Sequence, residues 1–151
     1  MPEFGARLRG VSMTSRLNPY LSFKDNAREA MTFYKTVFGG KLTLSTFKEY
    51  QASSDPAEDD KIMHAALEAE NGIAFFGADT PKAMPYDAGA NISMSLTGDN
   101  AAELSGYFAK LSAGGQIMMP LEKAPWGDTF GMLHDKFGMT WMINIAGKTE
   151  S

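Results

Sequence analysis

The 151-residue sequence predicts an α+β fold of two tandem βαβββ modules, and three observations carry that prediction. An alternating strand runs into an amphipathic helix twice, and each helix ends at a glycine pair, Gly39-Gly40 and Gly114-Gly115. Paired apolar runs joined by tight-turn residues follow each helix. Asn26, Glu29 and Phe33 recur as Asn100, Glu103 and Tyr107 at a constant offset of 74. A helix covering one face of each mostly antiparallel sheet makes the fold α+β.

In the first module, residues 17–79, Leu17 to Phe23 alternates. Leu17, Leu21 and Phe23 take one face, and Asn18, Tyr20 and Ser22 take the other. Asn26 is placed to cap a helix, with Glu29 reaching back to it. Ala30, Phe33, Tyr34, Val37 and Phe38 then form a single apolar stripe. Lys41 to Tyr50 reads as a second strand, and Gln51 to Asp60 as a solvated acidic connection without calcium-loop spacing. Ile62 to Glu70 and Ile73 to Ala78 form a hairpin about Asn71-Gly72. Alternation gives Met63, Ala65, Leu67 and Ala69 one face of its first strand, and Ile62, His64, Ala66 and Glu68 the other.

Residues 80–90 read as a linker, and 91–146 as the second module. Asn91 to Leu96 alternates, with Asn91, Ser93 and Ser95 polar and Ile92, Met94 and Leu96 apolar. Asn100 and Glu103 offer a second cap, and Leu104, Tyr107, Phe108 and Leu111 the second stripe. Gln116 to Met119 begins the next strand. Phe130 to Asp135 and Met139 to Ile145 close the module as a hairpin around Gly138. The single domain so composed spans 13–148. Residues 1–12 show no strand or helix period and read as a leader or disordered tail.

Composition narrows function. A net charge of −4 and the absence of any basic stripe argue against nucleic acid. The lack of cysteine removes disulfides, thiolate nucleophiles and cysteine-based zinc sites, and fits a cytoplasmic setting. No apolar run approaches the roughly 20 residues of a membrane helix. There is no phosphate-cradling glycine loop, His-Glu-x-x-His helix or Gly-x-Ser-x-Gly elbow.

Several stretches together carry a family resemblance: NPYLSF from Asn18, AREAMTFYKTVFGG from Ala27, IMHA from Ile62 and FGAD from Phe76. Trp126-Gly127-Asp128, Asp135-Lys136-Phe137-Gly138 and Trp141-Met142 complete the set. In this order and spacing they resemble the PhnB-like family of the vicinal oxygen chelate superfamily, the glyoxalase, bleomycin-resistance and dioxygenase group. PhnB-like proteins often carry a 3-demethylubiquinone-9 3-methyltransferase label. The resemblance implies curled sheets with the helix outside and a small-molecule site inside, and chains that pair as homodimers. It also implies where a divalent metal would be held in the superfamily's enzymes, by His and Glu on the first, fourth, fifth and eighth strands. The matching neighbourhoods here offer Asn18 or Tyr20, Phe75 or Phe76, Asn91 or Ser93, and Met142 or Asn144. None is an imidazole or a carboxylate, the ligands such a metal needs.

The expected function is therefore binding of a small, partly hydrophobic organic molecule, with no catalytic metal and no other cofactor. The alternative is a metal-dependent isomerase, lyase or oxygenase on the same fold. Methyl transfer is disfavoured, because no glycine-rich nucleotide loop follows the first strand. The candidate ligand-binding residues are Asn18, Tyr20, His64, Trp126 and Met142. Alternation puts Tyr20 and His64 on one cup face, where His64 is a general base, a donor that orients a ligand, or a strand histidine bonded to its neighbours. Glu68 lies ~13 Å along the strand from His64, too far for a dyad. Trp126 reads equally as an aromatic lid and as a loop anchor. His134 reads as an exposed or edge residue. Met118, Met119, Met132, Met139 and Met142 either fill core gaps or line an adaptable surface.

Overall fold

The computed structural model describes residues 15–89 and 91–147, so the leader expected over 1–12 lies outside the described residues. The chain divides into two compact units, Met1–Ala88 and Gly89–Ser151. The first contains β1 (Tyr20–Phe23), α1 (Ala27–Phe38), β2 (Lys41–Thr46), β3 (Ile62–Glu68) and β4 (Ala74–Asp79), with sheet order β1-β4-β3-β2. The second contains β5 (Met94–Gly98), α2 (Ala101–Ser112), β6 (Gln116–Lys123), β7 (Thr129–His134) and β8 (Thr140–Ile145), with order β5-β8-β7-β6. In each unit the first and last strands pair in parallel, and the other pairs are antiparallel. The fold is the expected α+β pair of βαβββ modules.

Each core lies between helix and sheet. In the first unit Ala30, Met31, Tyr34, Val37 and Phe38 of α1 are buried, and Phe33 is only partly covered. They meet Leu21, Phe23, Ala65, Leu67 and Phe75, with the Phe75 ring packed edge-on against Tyr34 and Phe38. Gly77 makes room for this packing, since a β-carbon there would come within 3.0 Å of the Met31 sulfur. In the second unit Leu104, Phe108 and Leu111 cover Leu133, Trp141, Ile143 and Ile145. Asn71 and Gly72 both take positive φ, as a tight two-residue hairpin turn requires.

Several local expectations need correction. β1 begins at Tyr20 rather than Leu17, and Leu17 is 97% exposed. Pro19 has no N–H to give a ladder, and its carbonyl instead accepts from Phe76 N. β2 ends at Thr46, where Thr46 Oγ1 accepts from Glu49 N and the chain turns. β5 starts at Met94, opposite Trp141, so Asn91 to Ser93 precede the ladder. Asn26 makes no side-chain cap to α1; the cap comes from Asp79 across the sheet. Asn100 does cap α2, accepting from Glu103 N at 3.0 Å.

Two further corrections shape the concave face. Ser45 pairs with His64 and Thr46 with Ile62, so Met63 is an extra residue, a bulge in β3. The bulge turns Ile62 into the core, where it is 0% exposed, although unbroken alternation assigned it to the face of His64. The acidic loop is not merely solvated. It forms a 3-10 turn, Pro56–Glu58, with Asp55 accepting from Ala57 N. Glu58 is buried, with its carboxylate accepting from Ser53 Oγ and Lys82 N.

Candidate ligand-binding site

The face of the first sheet turned away from α1 carries Tyr20 and Ser22 of β1, Phe76 and Ala78 of β4, His64 and Ala66 of β3, and Thr43 and Ser45 of β2. Register fixes this set, because Tyr20 pairs with Phe76, Phe76 with Ala66, and Ala66 with Thr43. Three rings cluster there. Tyr20 and His64 have centroids 5.9 Å apart, His64 and Phe76 5.4 Å, and Tyr20 and Phe76 6.2 Å. Phe76 is buried beneath the other two, while Tyr20 is 51% exposed.

The Tyr20 hydroxyl lies 3.4 Å from His64 Nδ1, a long hydrogen bond. Burial pushes the Tyr20 phenol up, so it stays protonated, and burial pushes the His64 imidazole down, so it is neutral near pH 7. When the phenol donates to Nδ1, the proton of His64 sits on Nε2 and is available to a ligand. The pair is a polar edge on an aromatic floor.

Beside it lies a cleft of about 390 Å³, within the range of small-molecule sites. Its sheet side is Tyr20, Ser22, Met63 and Ala78, with Phe47 at one end. It is also lined by Asp79 at the end of β4 and by Thr80, Pro81, Met84, Pro85, Tyr86 and Asp87 of the segment that follows. Sequence reasoning treated this segment as a plain linker. Its clue was a run of two prolines, a methionine and a tyrosine where a solvated tether would carry small polar residues. Met63 was also missed, because only the bulge brings it to this face.

Asn18 sits just before β1, half-buried. Trp126 and Met142 belong to the second unit. Ala124 N donates to Asp128 O, closing a three-residue hairpin loop that carries Trp126, and Gly127 takes φ +99 there. The indole is 63% exposed and packs edge-on against Phe130 at 5.9 Å. Met119, Met132, Met142 and Ser95 lie side by side across the face away from α2. His134, read from sequence as an exposed or edge residue, is half-buried on that same face, in register with Gln116 and Thr140. Asn144 donates to Asp128 Oδ2 at 2.9 Å.

A divalent metal of the superfamily's kind fits neither face. The concave positions on β1, β4, β5 and β8 are Tyr20 and Ser22, Phe76 and Ala78, Ser95 and Thr97, and Met142 and Asn144. Of the positions expected from sequence, Phe75 points into the core and Asn91 and Ser93 precede β5. Among the described residues, no group of three or more His, Asp or Glu side chains could hold a metal ion. Hydroxyls, a thioether, an amide and a phenyl ring make a poor donor set for a catalytic transition metal.

A family model described as 3-demethylubiquinone-9 3-methyltransferase matches residues 15–144. Protein YjdN of Escherichia coli is 30% identical over 141 residues, covering 86% of this chain and 95% of that protein. Among solved structures, protein PA1353 from Pseudomonas aeruginosa is 37% identical with a TM-score of 0.75, covering 89% of this chain and all of that one. The PhnB protein from Bacillus cereus is 28% identical with a TM-score of 0.70, covering 87% of this chain and all of that one. A glyoxylase/bleomycin resistance protein/dioxygenase domain from Frankia shares the fold at 14% identity, with a TM-score of 0.59, covering 91% of this chain and all of that one.

Proposed function

The chain belongs to the PhnB-like family of the vicinal oxygen chelate superfamily, and from that premise we propose that it binds a small, partly hydrophobic organic molecule without a catalytic metal. The observation that carries this reading is the Tyr20–His64 pair standing over Phe76 at the edge of a 390 Å³ cleft. A sheet face meant only to be covered by packing would not carry a phenol hydroxyl and an imidazole. The donor set at the superfamily's metal positions supports the metal-free part of the reading. The family description names a methyltransferase, yet the turn after β1 is Lys24-Asp25-Asn26, with no glycine-rich loop for a nucleotide-bearing cofactor.

The working form is a homodimer in the cytoplasm. Ile92, Ile117, Met118 and Met119 are exposed large apolar residues of the second unit, the kind of surface a partner chain covers. Light scattering at micromolar concentration should return twice 16.4 kDa, and a monomer would remove this part of the reading.

The central test is a fluorescence binding panel of aromatic and amphipathic metabolites on wild type, His64→Ala and Trp126→Ala, with elemental analysis of the same protein. Loss of one hydrogen bond at His64 should weaken binding by up to about tenfold. Loss of Trp126, if it closes over the ligand, should cost ~2 kcal/mol. Metal content should stay under about a tenth of an equivalent. A ligand whose affinity neither variant changes, or stoichiometric metal lost on mutating a concave-face residue, would refute the assignment.

A further inference from the structure

We propose that the sheet face of the second unit turned away from α2 is a soft-metal site, taking one copper(I) or silver(I) ion on the thioethers of Met119, Met132 and Met142. The three stand in one row on adjacent strands. Met119 of β6 pairs with Met132 of β7, and Met132 pairs with Met142 of β8. Their neighbours Leu133, Trp141 and Ile143 are buried on the α2 side, which leaves the methionines to the other face. A bulge in β6 completes the row. Ile117 pairs with Leu133, so unbroken pairing would set Met118 opposite Met132, but the register shifts by one residue and brings Met119 there.

Neighbouring strands lie ~4.8 Å apart, so the backbones of the two outer methionines are ~10 Å apart. Methionine carries its sulfur on three rotatable bonds, enough for Met119 and Met142 to lean over Met132 and set three sulfurs around one ion. Thioethers are neutral, soft donors that select copper(I), whereas zinc and other harder ions favour imidazole and carboxylate. Among the described residues, no group of three or more His, Asp or Glu side chains offers a harder site. The chain has eleven methionines and no cysteine, so no thiolate competes for the ion. Met119 is 48% exposed, and Met132 and Met142 are half-buried, so the row is reached from solvent. Met119 is also among the residues offered above to a partner chain; the ion draws on its sulfur, and the two roles are compatible. The ion is cargo supplied from outside, distinct from the catalytic divalent metal whose ligands this fold lacks.

Silver(I), an air-stable ion of similar softness, tests the proposal on the full chain in chloride-free buffer. Calorimetry should show one ion bound per chain. Of the eleven methionine methyl signals in a carbon–proton NMR spectrum, silver should move those of Met119, Met132 and Met142. Copper(I) kept reduced by ascorbate should displace it, and zinc(II) should not. Met132→Leu keeps the volume of the side chain. It should weaken silver by at least about tenfold, the smallest cost expected even for loss of an outer-shell partner. Met94→Leu should leave silver binding unchanged, since Met94 pairs with buried Trp141 on the opposite face. Unmoved methyl signals outside the row show that each variant is folded. Silver shifts confined to other methionines, equal losses in the two variants, displacement by zinc(II) or no saturable binding would each overturn the proposal. Elemental analysis of the chain as isolated still tests the metal-free reading separately, because here the ion is added.

Discussion

Asp79, the last residue of β4, accepts the backbone N–H of Ala27 at 2.9 Å, so a strand carboxylate caps a helix that starts 52 residues earlier. Its second oxygen accepts from Ile62 N at 2.8 Å. One buried side chain thereby ties together the start of α1, the start of β3 and the end of β4. Asp79→Ala would strand two buried donors and should lower stability by about 2–4 kcal/mol, read as a shift in urea midpoint. Asn26→Ala, at the position sequence favours for the cap, should change stability by less than about 0.5 kcal/mol. Equal losses at both positions would contradict this division of labour.

The β3 bulge makes a paired prediction. Ile62 is in the core and Met63 faces the cleft, so Ile62→Ala should cost about 2–4 kcal/mol and Met63→Ala less than about 1. Ligand affinity should respond the other way, falling for Met63→Ala. A reversed order in the stability measurements would mean that the register slips by one residue.

His64 gives a pH prediction. Its folded value lies below the ordinary 6.5 because burial disfavours the charged ring. Between those values the unfolded chain holds more protons, so the stability tied to neutral His64 is complete above about pH 6.5 and falls as pH drops through the folded value. Affinity for a ligand that accepts from His64 Nε2 should likewise be flat above pH 6.5 and change below it. An imidazole titration followed by proton NMR should give a midpoint under 6.5; a higher one would contradict the burial described.

Glu58 predicts behaviour in acid. The Ser53 hydroxyl and the Lys82 N–H hold its carboxyl below the usual 4.5. Its contribution is therefore complete above about pH 4.5 and is lost as pH falls through the lower, folded value. Glu58→Gln should flatten the pH dependence of stability below 4.5. An unchanged slope would show that the clasp adds nothing.

The period-2 and period-3.6 patterns made both modules legible, because strands with one buried face and helices with one buried stripe must display them. The Asn71-Gly72 turn and the Gly138 turn were legible for a similar reason, since both need positive φ. The placement of Tyr20 and His64 on one face also followed from alternation, although Ile62 broke the pattern. A bulge adds a residue without marking the sequence, so it had to be seen. The long-range cap from Asp79 and the wall formed by Met84 and Tyr86 depend on tertiary proximity, which no local pattern encodes. Trp126 read equally well as a lid or an anchor, because its loop could be foreseen but the Phe130 ring beneath it could not.

The segment joining the two units is clasped to the acidic loop at Lys82 N and runs on past Met84 and Tyr86 as one side of the cleft. Adding or deleting a residue beyond Lys82 would leave the clasp and the first sheet as they are and would reposition only that side. On the proposed reading of the cleft as a binding site, the tether's length is a handle on how large a guest it takes, one that can be varied without rewriting either hydrophobic core.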